Sequence, residues 1–345
     1  MKKNNFYKNK LKFQDKCILI TGGTGSFGAA MASEILKKYS PRKLIIFSRD
    51  EFKQYELENQ FLDLGFKNFR FFIGDVRDRE RLNLAFQDVD IVIHAAAMKQ
   101  VTSSEYNPFE CINTNVIGAQ NIVSAAINSK VSKVIALSTD KAANPINLYG
   151  ASKLAADKIF VSANQLSGLN GCQFSVVRYG NVIKSRGSVI NLFQELIKKK
   201  KKNLPITDKK MTRFWISLRQ GVEFVLSNID YMTGGEIFIP KIPSMKVTDI
   251  AKSLDRLISF KYIGIRPGEK IHEVLITQDE SINTLELTDR YIIKPSFLTK
   301  EQFIKVFNKK FKNNKAKFVK ENFFYSSDSN KSWLDKKSFL KLLDE

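Results

Sequence analysis

The stretch TGGTGSFG, residues 21–28, decides the fold of this chain. It follows an apolar run, CILIT (17–21), and leads into a helical pattern over about 26–38. Its glycines are spaced Gly22-x-x-Gly25-x-x-Gly28, which permits a tight turn and lets the backbone approach a pyrophosphate. The N-terminus of the following helix would stabilise the negative charge. A strand before the glycines and a helix after them make the pattern specific, so we predict a dinucleotide-binding unit.

The alternation of strand and helix continues through the first half of the chain. Helical patterns, including a long one over about 109–128, separate further apolar runs: KLIIFS (43–48), FRFFIGD (69–75), DIVIHAA (90–96), KVIALST (133–139) and FSVVRYGNV (174–182). Continuous apolar strands that alternate with helices indicate a parallel sheet buried on both faces. We therefore predict an α/β fold with a doubly wound parallel sheet of the Rossmann type.

The regular alternation stops after Gly180. We predict a polar lead-in over 1–14, an NADP-binding domain over 15–180 and a smaller, mainly substrate-binding C-terminal domain over 181–345. Parts of 211–240 are expected to return to the large domain. The segment 211–229 has the pattern of a loop that leads into a helix, and a last helix is expected near 335–344.

The composition limits the kinds of partner. A formal net charge of +21 favours anionic partners such as nucleotides. The lysines are spread along the chain without a basic, aromatic-rich module, so we expect no nucleic-acid partner. No run approaches 18 apolar residues and the N-terminus lacks a signal-peptide core, which predicts a cytoplasmic protein without a membrane span. Cys17, Cys111 and Cys172 fit neither a metal site nor a disulfide framework, so we expect reduced packing residues and no metal.

The residues at the end of the second strand bear on the choice of cofactor. Ser48 and Arg49 come first, where a 2′-phosphate would lie, and arginine offers a planar fork of donors suited to phosphate. Asp50 and Glu51 follow, and an acidic side chain is what an NAD site uses on the ribose 2′-hydroxyl. We predict NADP over NAD.

The predicted cofactor site extends over several strand ends. Asp75 and Val76 are expected at the adenine, while small residues after the fourth strand leave room for the cofactor. The full set is Gly22, Thr24, Gly25, Ser26, Phe27, Gly28, Ser48, Arg49, Asp50, Lys53, Asp75, Val76, Ala95, Ala96, Lys99, Ser138, Tyr149 and Lys153. His94 lies inside an apolar strand end, and we interpret it as a structural residue.

Tyr149 and Lys153 carry the chemistry that fits such a cofactor. They stand four residues apart at the start of a predicted helix, so they share a face. A nearby ammonium favours the phenolate, and we expect it to lower the pKa of Tyr149. The tyrosine could then take a hydroxyl proton while the carbon gives hydride to a nicotinamide.

These two motifs together resemble the extended short-chain dehydrogenase/reductase superfamily. Longer strings are similar to one family within it, the inverting UDP-N-acetylglucosamine 4,6-dehydratases of pseudaminic acid biosynthesis. The strings are ITGGTGSFG, SRDE, GDVRDRERL, LSTDKAANPINLYGASK, SVVRYGNV, MTRFWI, GGEIFIPKIPSMK, IGIRPGEKIHEV and YSSDSNKSWL. The similarity runs from about residue 15 to the end of the chain.

The resemblance implies catalytic roles for Thr139, Asp140 and Lys141 beside Tyr149 and Lys153. Common hexose dehydratases carry Thr-Asp-Glu where this chain has Thr-Asp-Lys. By analogy, Tyr149 takes the 4-hydroxyl proton as hydride leaves C4 for NADP⁺, and Lys141 removes the C5 proton. Protonated Asp140 helps the 6-hydroxyl leave as water, and hydride returns to C6. Reprotonation of C5 on the opposite face would give the L-arabino 4-keto-6-deoxy sugar.

This scheme sets requirements on two pKa values. Lys141 can act as a base only if its pKa falls well below about 10.4. We expect burial and the nearby cations Lys99 and Lys153 to lower it. Asp140 must have a raised pKa to act as an acid, as a poorly solvated site would provide.

The resemblance also implies substrate contacts and assembly. The expected substrate-binding residues are Lys99, Lys141, Asn181, Arg213, Arg266 and Glu269, with the arginines on the diphosphate or uridine. A homo-oligomer is implied by the family as well.

Other functions stay open at this point. A retaining UDP-sugar 4,6-dehydratase or a 4-epimerase would use the same fold, although an epimerase needs no Asp140–Lys141 pair. Membrane-bound relatives that retain C5 configuration usually have Met at the position of Tyr149. A non-catalytic NADP-binding regulator would typically lose Tyr149 or Lys153, and both are present here. A nucleic-acid-binding protein would rest on net charge alone.

Overall fold

The computed structural model describes residues 6, 11–168, 171–310 and 316–345. The strands in chain order are β1 (Cys17–Thr21), β2 (Lys43–Ser48), β3 (Phe69–Ile73), β4 (Ile91–His94), β5 (Lys133–Thr139), β6 (Gln173–Tyr179), β7 (Asn181–Val182), β8 (Asn203–Ile206), β9 (Thr212–Ile216), β10 (Ile237–Pro240), β11 (Ser244–Lys246), β12 (Ser259–Tyr262), β13 (Val274–Ile276), β14 (Thr284–Glu286), β15 (Arg290–Ile293), β16 (Lys317–Phe318) and β17 (Tyr325–Ser326).

The helices separate these strands. They are α1 (Ser26–Tyr39), α2 (Glu51–Asp63), α3 (Arg79–Ala85), α4 (Val101–Tyr106), α5 (Pro108–Ile112), α6 (Gly118–Asn128), α7 (Leu148–Leu166), α8 (Val189–Lys198), α9 (Leu218–Tyr231), α10 (Val247–Leu254), α11 (Gln278–Ser281), α12 (Lys300–Lys310) and α13 (Lys336–Asp344). A single 3₁₀ turn spans Asp140–Ala142, and a π-helical turn spans Asn113–Ile117.

One large sheet dominates the described part of the chain, with the strand order β16-β14-β15-β10-β6-β5-β4-β1-β2-β3. The strands β1 to β6 pair in parallel in the order 3-2-1-4-5-6, with Thr21 opposite His94 and His94 opposite Ala136. This is the doubly wound order, in which ligands bind at the carboxyl ends of the strands. The predicted fold class is therefore confirmed.

The second half of the chain contributes more to the large sheet than its sequence pattern indicates. The strand β10 joins in parallel, with Ile237 opposite Val176, and β15, β14 and β16 continue the sheet in the antiparallel sense. The strands β14, β15 and β16 thus extend the sheet, although their residues were expected in the smaller domain. The added strands cover an edge that would otherwise expose unpaired backbone groups.

Two local expectations about secondary structure are wrong. Residues 212–216, expected as a loop, form β9, whose five residues are all buried. The helix expected over about 109–128 is divided by the π-helical turn at Asn113–Ile117. Within this turn Asn115 accepts a hydrogen bond from the Met98 amide at 2.8 Å and donates one to the Met98 carbonyl at 2.9 Å. The turn therefore holds the loop that follows β4.

The predicted polar lead-in lies mostly outside the described residues. Phe6 is described and buried, and its ring lies 4.9 Å from that of Phe224 in an edge-on contact. Phe13 is buried in the same way against Tyr39, with ring centroids 5.2 Å apart. Apolar side chains thus dock these parts of the segment onto the large domain.

A second, smaller core packs beside the sheet. It includes Trp215, Phe193, Ile250 and Phe339, and so combines β9 with the helices α8, α10 and α13. Across the described ranges, no helix combines the length and apolar character that crossing a bilayer requires.

Candidate active site

A cleft of about 1270 Å³ opens at the carboxyl ends of the parallel strands. It contains every predicted site residue except Arg213. These residues are Gly22, Thr24, Gly25, Ser26, Phe27, Gly28, Ser48, Arg49, Asp50, Lys53, Asp75, Val76, Ala95, Ala96, Lys99, Ser138, Thr139, Asp140, Lys141, Tyr149, Lys153, Asn181, Arg266 and Glu269. The fold thus brings together residues from distant parts of the sequence.

The glycine turn has the geometry of a dinucleotide cradle. Gly22 has φ +65°, and a Cβ atom there would lie 2.8 Å from the Cα of Ala96. A Cβ atom at Gly28 would lie 2.5 Å from the Cα of Gly23, so α1 packs directly on the turn. Gly25 caps α1 without a side chain that could accept hydrogen bonds from the first amides. Those amides can receive a pyrophosphate, so the residues present fit a dinucleotide.

The end of β2 presents cations to the mouth of the cleft. The Arg49 side chain is 63% exposed, and its guanidinium lies 3.4 Å from the Asp75 carboxylate. Asp50 caps α2 by accepting a hydrogen bond from the Lys53 amide at 3.0 Å. Its other carboxylate oxygen contacts the Lys53 ammonium, and this hydrogen bond lowers the pKa of Asp50. The Asp50 carboxylate is thus engaged by its own helix.

Lys141 lies between two buried carboxylates. Its ammonium is 3.1 Å from Asp140 Oδ1 and 3.0 Å from Glu273 Oε1. Asp140 is 1% exposed and Glu273 is 2% exposed. Thr139 donates a hydrogen bond to Asp140 Oδ1 at 2.9 Å and accepts one from the Lys141 amide at 3.3 Å. The turn after β5 therefore holds an acid and an amine side by side.

The pKa of Asp140 shifts in the expected direction, whereas that of Lys141 does not. Burial raises the pKa of Asp140, against the opposing effect of Lys141, as an acid requires. Burial disfavours the Lys141 ammonium, but Asp140 and Glu273 outweigh it and raise the pKa of Lys141 above its ordinary value. The expected lowering is wrong because it counted cations, while the nearest charges are carboxylates.

The effect of Lys153 on Tyr149 also differs from the expectation. Burial raises the pKa of Tyr149 to about 12, although Lys141 and a hydrogen bond with Thr139 favour the phenolate. The Lys153 ammonium donates a hydrogen bond to the Leu137 carbonyl at 2.6 Å, and burial lowers its own pKa. The expected lowering of the pKa of Tyr149 is therefore wrong here, because burial dominates and the acting cation is Lys141.

The substrate end of the cleft carries several polar groups. Lys99 donates a hydrogen bond to the Arg186 carbonyl at 3.0 Å, and the Arg266 guanidinium lies 3.4 Å from Glu269. Glu269 also accepts a hydrogen bond from Thr207 at 3.2 Å. The side-chain oxygen of Asn181 is buried and finds no partner among the described residues. An unpaired buried acceptor on the cleft wall can receive a hydrogen bond from a ligand.

Arg213 does not line the cleft, which corrects its assignment to the diphosphate. Its side chain is buried and donates hydrogen bonds to the carbonyls of Thr212 at 2.7 Å, Lys270 at 2.8 Å and Ile271 at 3.0 Å. Its Nε lies 3.7 Å from Glu273. Arg213 thus fixes the loop that carries Glu273.

Sequence reasoning missed Glu273 and a buried ion-pair network. Arg178 lies 3.4 Å from Asp157 and 2.9 Å from Glu280, and Ser138 donates to Asp157 at 2.8 Å. Asp157 follows Lys153 by one helical turn, which is a usable signal. Glu273 stands inside the quoted string IGIRPGEKIHEV, but nothing in its spacing relates it to Lys141.

His94 and the three cysteines are buried in structural positions. His94 is buried beside Thr21, with Nδ1 2.8 Å from the hydroxyl, and burial lowers its pKa to about 3. It is therefore a neutral structural residue, as predicted. The three cysteines are free and buried.

Comparisons with known proteins give the family. The family described as polysaccharide biosynthesis protein matches residues 18–295. A UDP-N-acetylglucosamine 4,6-dehydratase (inverting) from Campylobacter jejuni is 54% identical over 96% of this chain and 98% of its own length. A UDP-glucose 4-epimerase from Rickettsia bellii is 44% identical over 81% of this chain and 83% of its own.

A solved structure extends the likeness to three dimensions. Pen from Bacillus thuringiensis has a TM-score of 0.86 at 38% identity, covering 96% of this chain and 98% of that one. The family match over 18–295 includes the whole cleft, from the glycine turn to Glu269. This chain accordingly belongs to the polysaccharide biosynthesis protein family.

Proposed function

We propose that this protein is a UDP-N-acetylglucosamine 4,6-dehydratase that inverts C5. Such a hydro-lyase yields UDP-2-acetamido-2,6-dideoxy-β-L-arabino-hex-4-ulose and water. The observation that carries the proposal is the placement of Asp140 and Lys141 in one cleft with Tyr149 and the glycine turn. Removal of water needs an acid and a base besides the oxidising pair, and these two side chains supply them. The 54% identical Campylobacter dehydratase supports the same reaction.

The cofactor is a nicotinamide dinucleotide, and we propose NADP in particular. Arg49 and Lys53 are cations at the mouth of the cleft, while Asp50 is engaged as a helix cap. This arrangement favours a 2′-phosphate over a free ribose hydroxyl. The glycine turn and the end of β2 would hold this cofactor. It would supply a hydride acceptor for sugar C4 and a hydride donor for C6, so the net reaction would leave its redox state unchanged.

Each catalytic side chain has a proton to move or hold. We assign the 4-hydroxyl proton of the sugar to Tyr149, whose phenol is linked to Thr139 and acted on by Lys141. Burial raises the pKa of Asp140, and we assign to it the proton that goes to the departing 6-hydroxyl. Lys141 takes the proton from C5 once its own proton has left. Lys153 holds the carbonyl end of β5 and orients this group.

We propose fewer substrate-binding residues than were expected from the sequence. Lys99, Lys141, Asn181, Arg266 and Glu269 face the cleft, and Arg213 is removed from the set. The unpaired oxygen of Asn181 is suited to a donor on the nucleotide or sugar. Arg266 can bind a diphosphate with two parallel hydrogen bonds.

A 4-epimerase is the second candidate, since a Rickettsia relative bears that name. A retaining 4,6-dehydratase is a related alternative. An epimerase returns hydride to C4 and leaves C5 untouched, so it has no use for Asp140 and Lys141. A non-catalytic NADP-binding regulator is disfavoured because both Tyr149 and Lys153 line the cleft. The pseudaminic acid pathway, a cytoplasmic location and a homo-oligomer remain predictions from the family resemblance.

One experiment separates these reactions. The protein is incubated with UDP-N-acetylglucosamine and NADP in deuterated water, and the products are followed by NMR. We expect loss of water, deuterium at C5 and the L-arabino configuration. A product with deuterium at C5 and D-xylo configuration would indicate a retaining dehydratase. UDP-N-acetylgalactosamine without deuterium at C5 would indicate an epimerase, and either result would overturn the proposal.

A further inference from the structure

We infer that Glu273 is a positioning residue for Lys141: together with Asp140 it clamps the lysine, and this clamp must open before Lys141 can act as a base. The inference rests on the proposed function, because it concerns the base of that reaction. It goes beyond that function by adding a residue from the C-terminal part of the chain to the elimination step.

The geometry of the clamp is a carboxylate on each side of one ammonium. Lys141 Nζ lies 3.0 Å from Glu273 Oε1 and 3.1 Å from Asp140 Oδ1. The Lys141 side chain is 21% exposed, so water reaches it from the cleft. Glu273 Oε2 is buried without a hydrogen-bond partner in the described part of the chain. Such an oxygen is costly to bury, which suggests that Glu273 is kept for the site and not for stability.

The position of Glu273 is set by its backbone. Its amide donates a hydrogen bond to the Ser327 hydroxyl at 2.9 Å, and its carbonyl accepts one from the Ser327 amide at 2.8 Å. Arg213 holds the neighbouring carbonyls of Lys270 and Ile271. Ser327, within the string YSSDSN, therefore fixes the backbone position of Glu273.

The charges around Lys141 come from several elements. Asp140 lies on its own turn, Tyr149 on α7, Glu273 and Lys270 on the loop before β13, and Arg213 on β9. The two carboxylates favour the ammonium, whereas Arg213 disfavours it. Because the ammonium has no lone pair, Lys141 must first release a proton to water, breaking one N–H bond and keeping the electron pair on nitrogen.

The variant Glu273→Gln tests this clamp. Glutamine keeps the size and one acceptor oxygen but removes a negative charge, so the Lys141 ammonium becomes less favoured. The ascending limb of kcat/KM against pH, where Lys141 loses its proton, should move to lower pH by about one unit or more. The plateau should fall about tenfold because the amine is held less firmly. If Glu273 had a purely structural role, Glu273→Gln would lower the plateau of kcat/KM and leave the ascending limb at the same pH.

The matched control is Asp279→Asn. Asp279 is exposed on α11, six positions along the same segment, and the change removes the same charge. Its pH profile should match that of the unaltered protein. If the limb moves equally in both variants, the effect is one of general charge, and the clamp is rejected.

A second measurement needs neither substrate nor turnover. The full-length protein is labelled with limiting acetic anhydride across a pH series, and the peptides that contain Lys141 and the exposed Lys209 are quantified by mass spectrometry. Lys141 should become reactive only at higher pH than Lys209, and Glu273→Gln should bring its reactivity to lower pH. If Lys141 reacts at the same pH as Lys209 in the unaltered protein, the clamp is refuted even where the variant does not fold.

Different experimental outcomes would reject the proposed function and the clamp formed by Glu273 and Asp140. Delayed labelling of Lys141 without any dehydration by the unaltered protein would reject the proposed function and leave the clamp standing. Dehydration with an unmoved limb and unshifted labelling in Glu273→Gln would reject the clamp and leave the function standing.

Discussion

Gly150 and the carbonyl of Lys141 are in direct contact: a Cβ atom at Gly150 would lie 2.3 Å from that oxygen. The first turn of α7, which carries Tyr149, therefore rests on the 3₁₀ turn that carries Asp140 and Lys141. This contact holds the residues to which we assign hydride transfer at a fixed separation from those to which we assign water removal. Only glycine allows the approach.

Gly150→Ala is expected to separate the two groups. The added methyl must push the Lys141 carbonyl away, and a displacement of about 1 Å can cost about 100-fold in rate. We expect turnover of UDP-N-acetylglucosamine to fall by about this factor, while NADP affinity changes less than about twofold. The control is Gly221→Ala, whose Cβ would lie 3.6 Å from Phe27, an ordinary contact. Equal rates for the two variants would contradict the role of Gly150.

Lys141→Ala should slow dehydration by about 100-fold or more without affecting cofactor binding. Loss of a general base typically costs about 10²–10⁴-fold in rate, whereas the glycine turn and the end of β2 remain intact. The measurements are turnover by NMR and NADP affinity by titration calorimetry. The exposed Lys209→Ala serves as the control. Near-normal dehydration by Lys141→Ala would remove this residue from the mechanism.

Arg49→Ala tests the cofactor preference. A hydrogen bond to a charged group is worth about 1.5–3 kcal/mol, so NADP affinity should fall about tenfold to 100-fold. NAD affinity should stay within about twofold, because NAD has no 2′-phosphate. Arg79→Ala removes an exposed arginine from α3 and should change neither. If both cofactors bind more weakly to Arg49→Ala, or NAD binds more tightly than NADP to the unaltered protein, the preference is wrong.

Arg178→Ala is expected to destabilise the fold. Arg178 is fully buried between Asp157 and Glu280, and removing one partner of a buried pair costs about 3–5 kcal/mol. Urea unfolding of both proteins gives the difference in the free energy of unfolding. The control is Arg219→Ala, since that side chain is 64% exposed and pairs with Glu223 across one helical turn. An exposed pair contributes about 0–1 kcal/mol, so equal losses would refute the distinction.

Stability should fall at alkaline pH, with Tyr149 as one cause. Burial raises the pKa of Tyr149 to about 12 from the ordinary value near 10. The folded state therefore keeps its proton where the unfolded state has lost it, and the stabilisation present below pH 10 is lost as pH rises through 12. The slope is at most about 1.4 kcal/mol per pH unit for one tyrosine.

Urea unfolding at pH 9, 10 and 11 measures this loss. Tyr149→Phe should show a smaller fall in the free energy of unfolding over this range. Tyr262→Phe, which changes a tyrosine that is 55% exposed, should fall like the unaltered protein. A fall for Tyr149→Phe as steep as that of the unaltered protein would show that the Tyr149 phenol titrates normally.

Much of the fold and of the site follows from local sequence. The runs 17–21, 43–48 and 133–139 were predicted as strands and form β1, β2 and β5 with those bounds. The glycine turn and the Tyr149–Lys153 pair could be placed because their partners lie within a few residues. Their geometry depends on helix period and backbone freedom, which are properties of short segments.

The sequence by itself determined the doubly wound sheet, the glycine turn and the side chains that enter the cleft, because each depends on a local pattern. Tertiary structure alone decided the electrostatic environment of those side chains and therefore the direction in which their pKa values shift. Glu273 reaches Lys141 and Arg213 turns away from the cleft only because β13, β9 and β17 meet beside the large sheet. Electrostatic effects depend on distance and burial in space, so the raised pKa values of Lys141 and Tyr149 could not follow from sequence spacing.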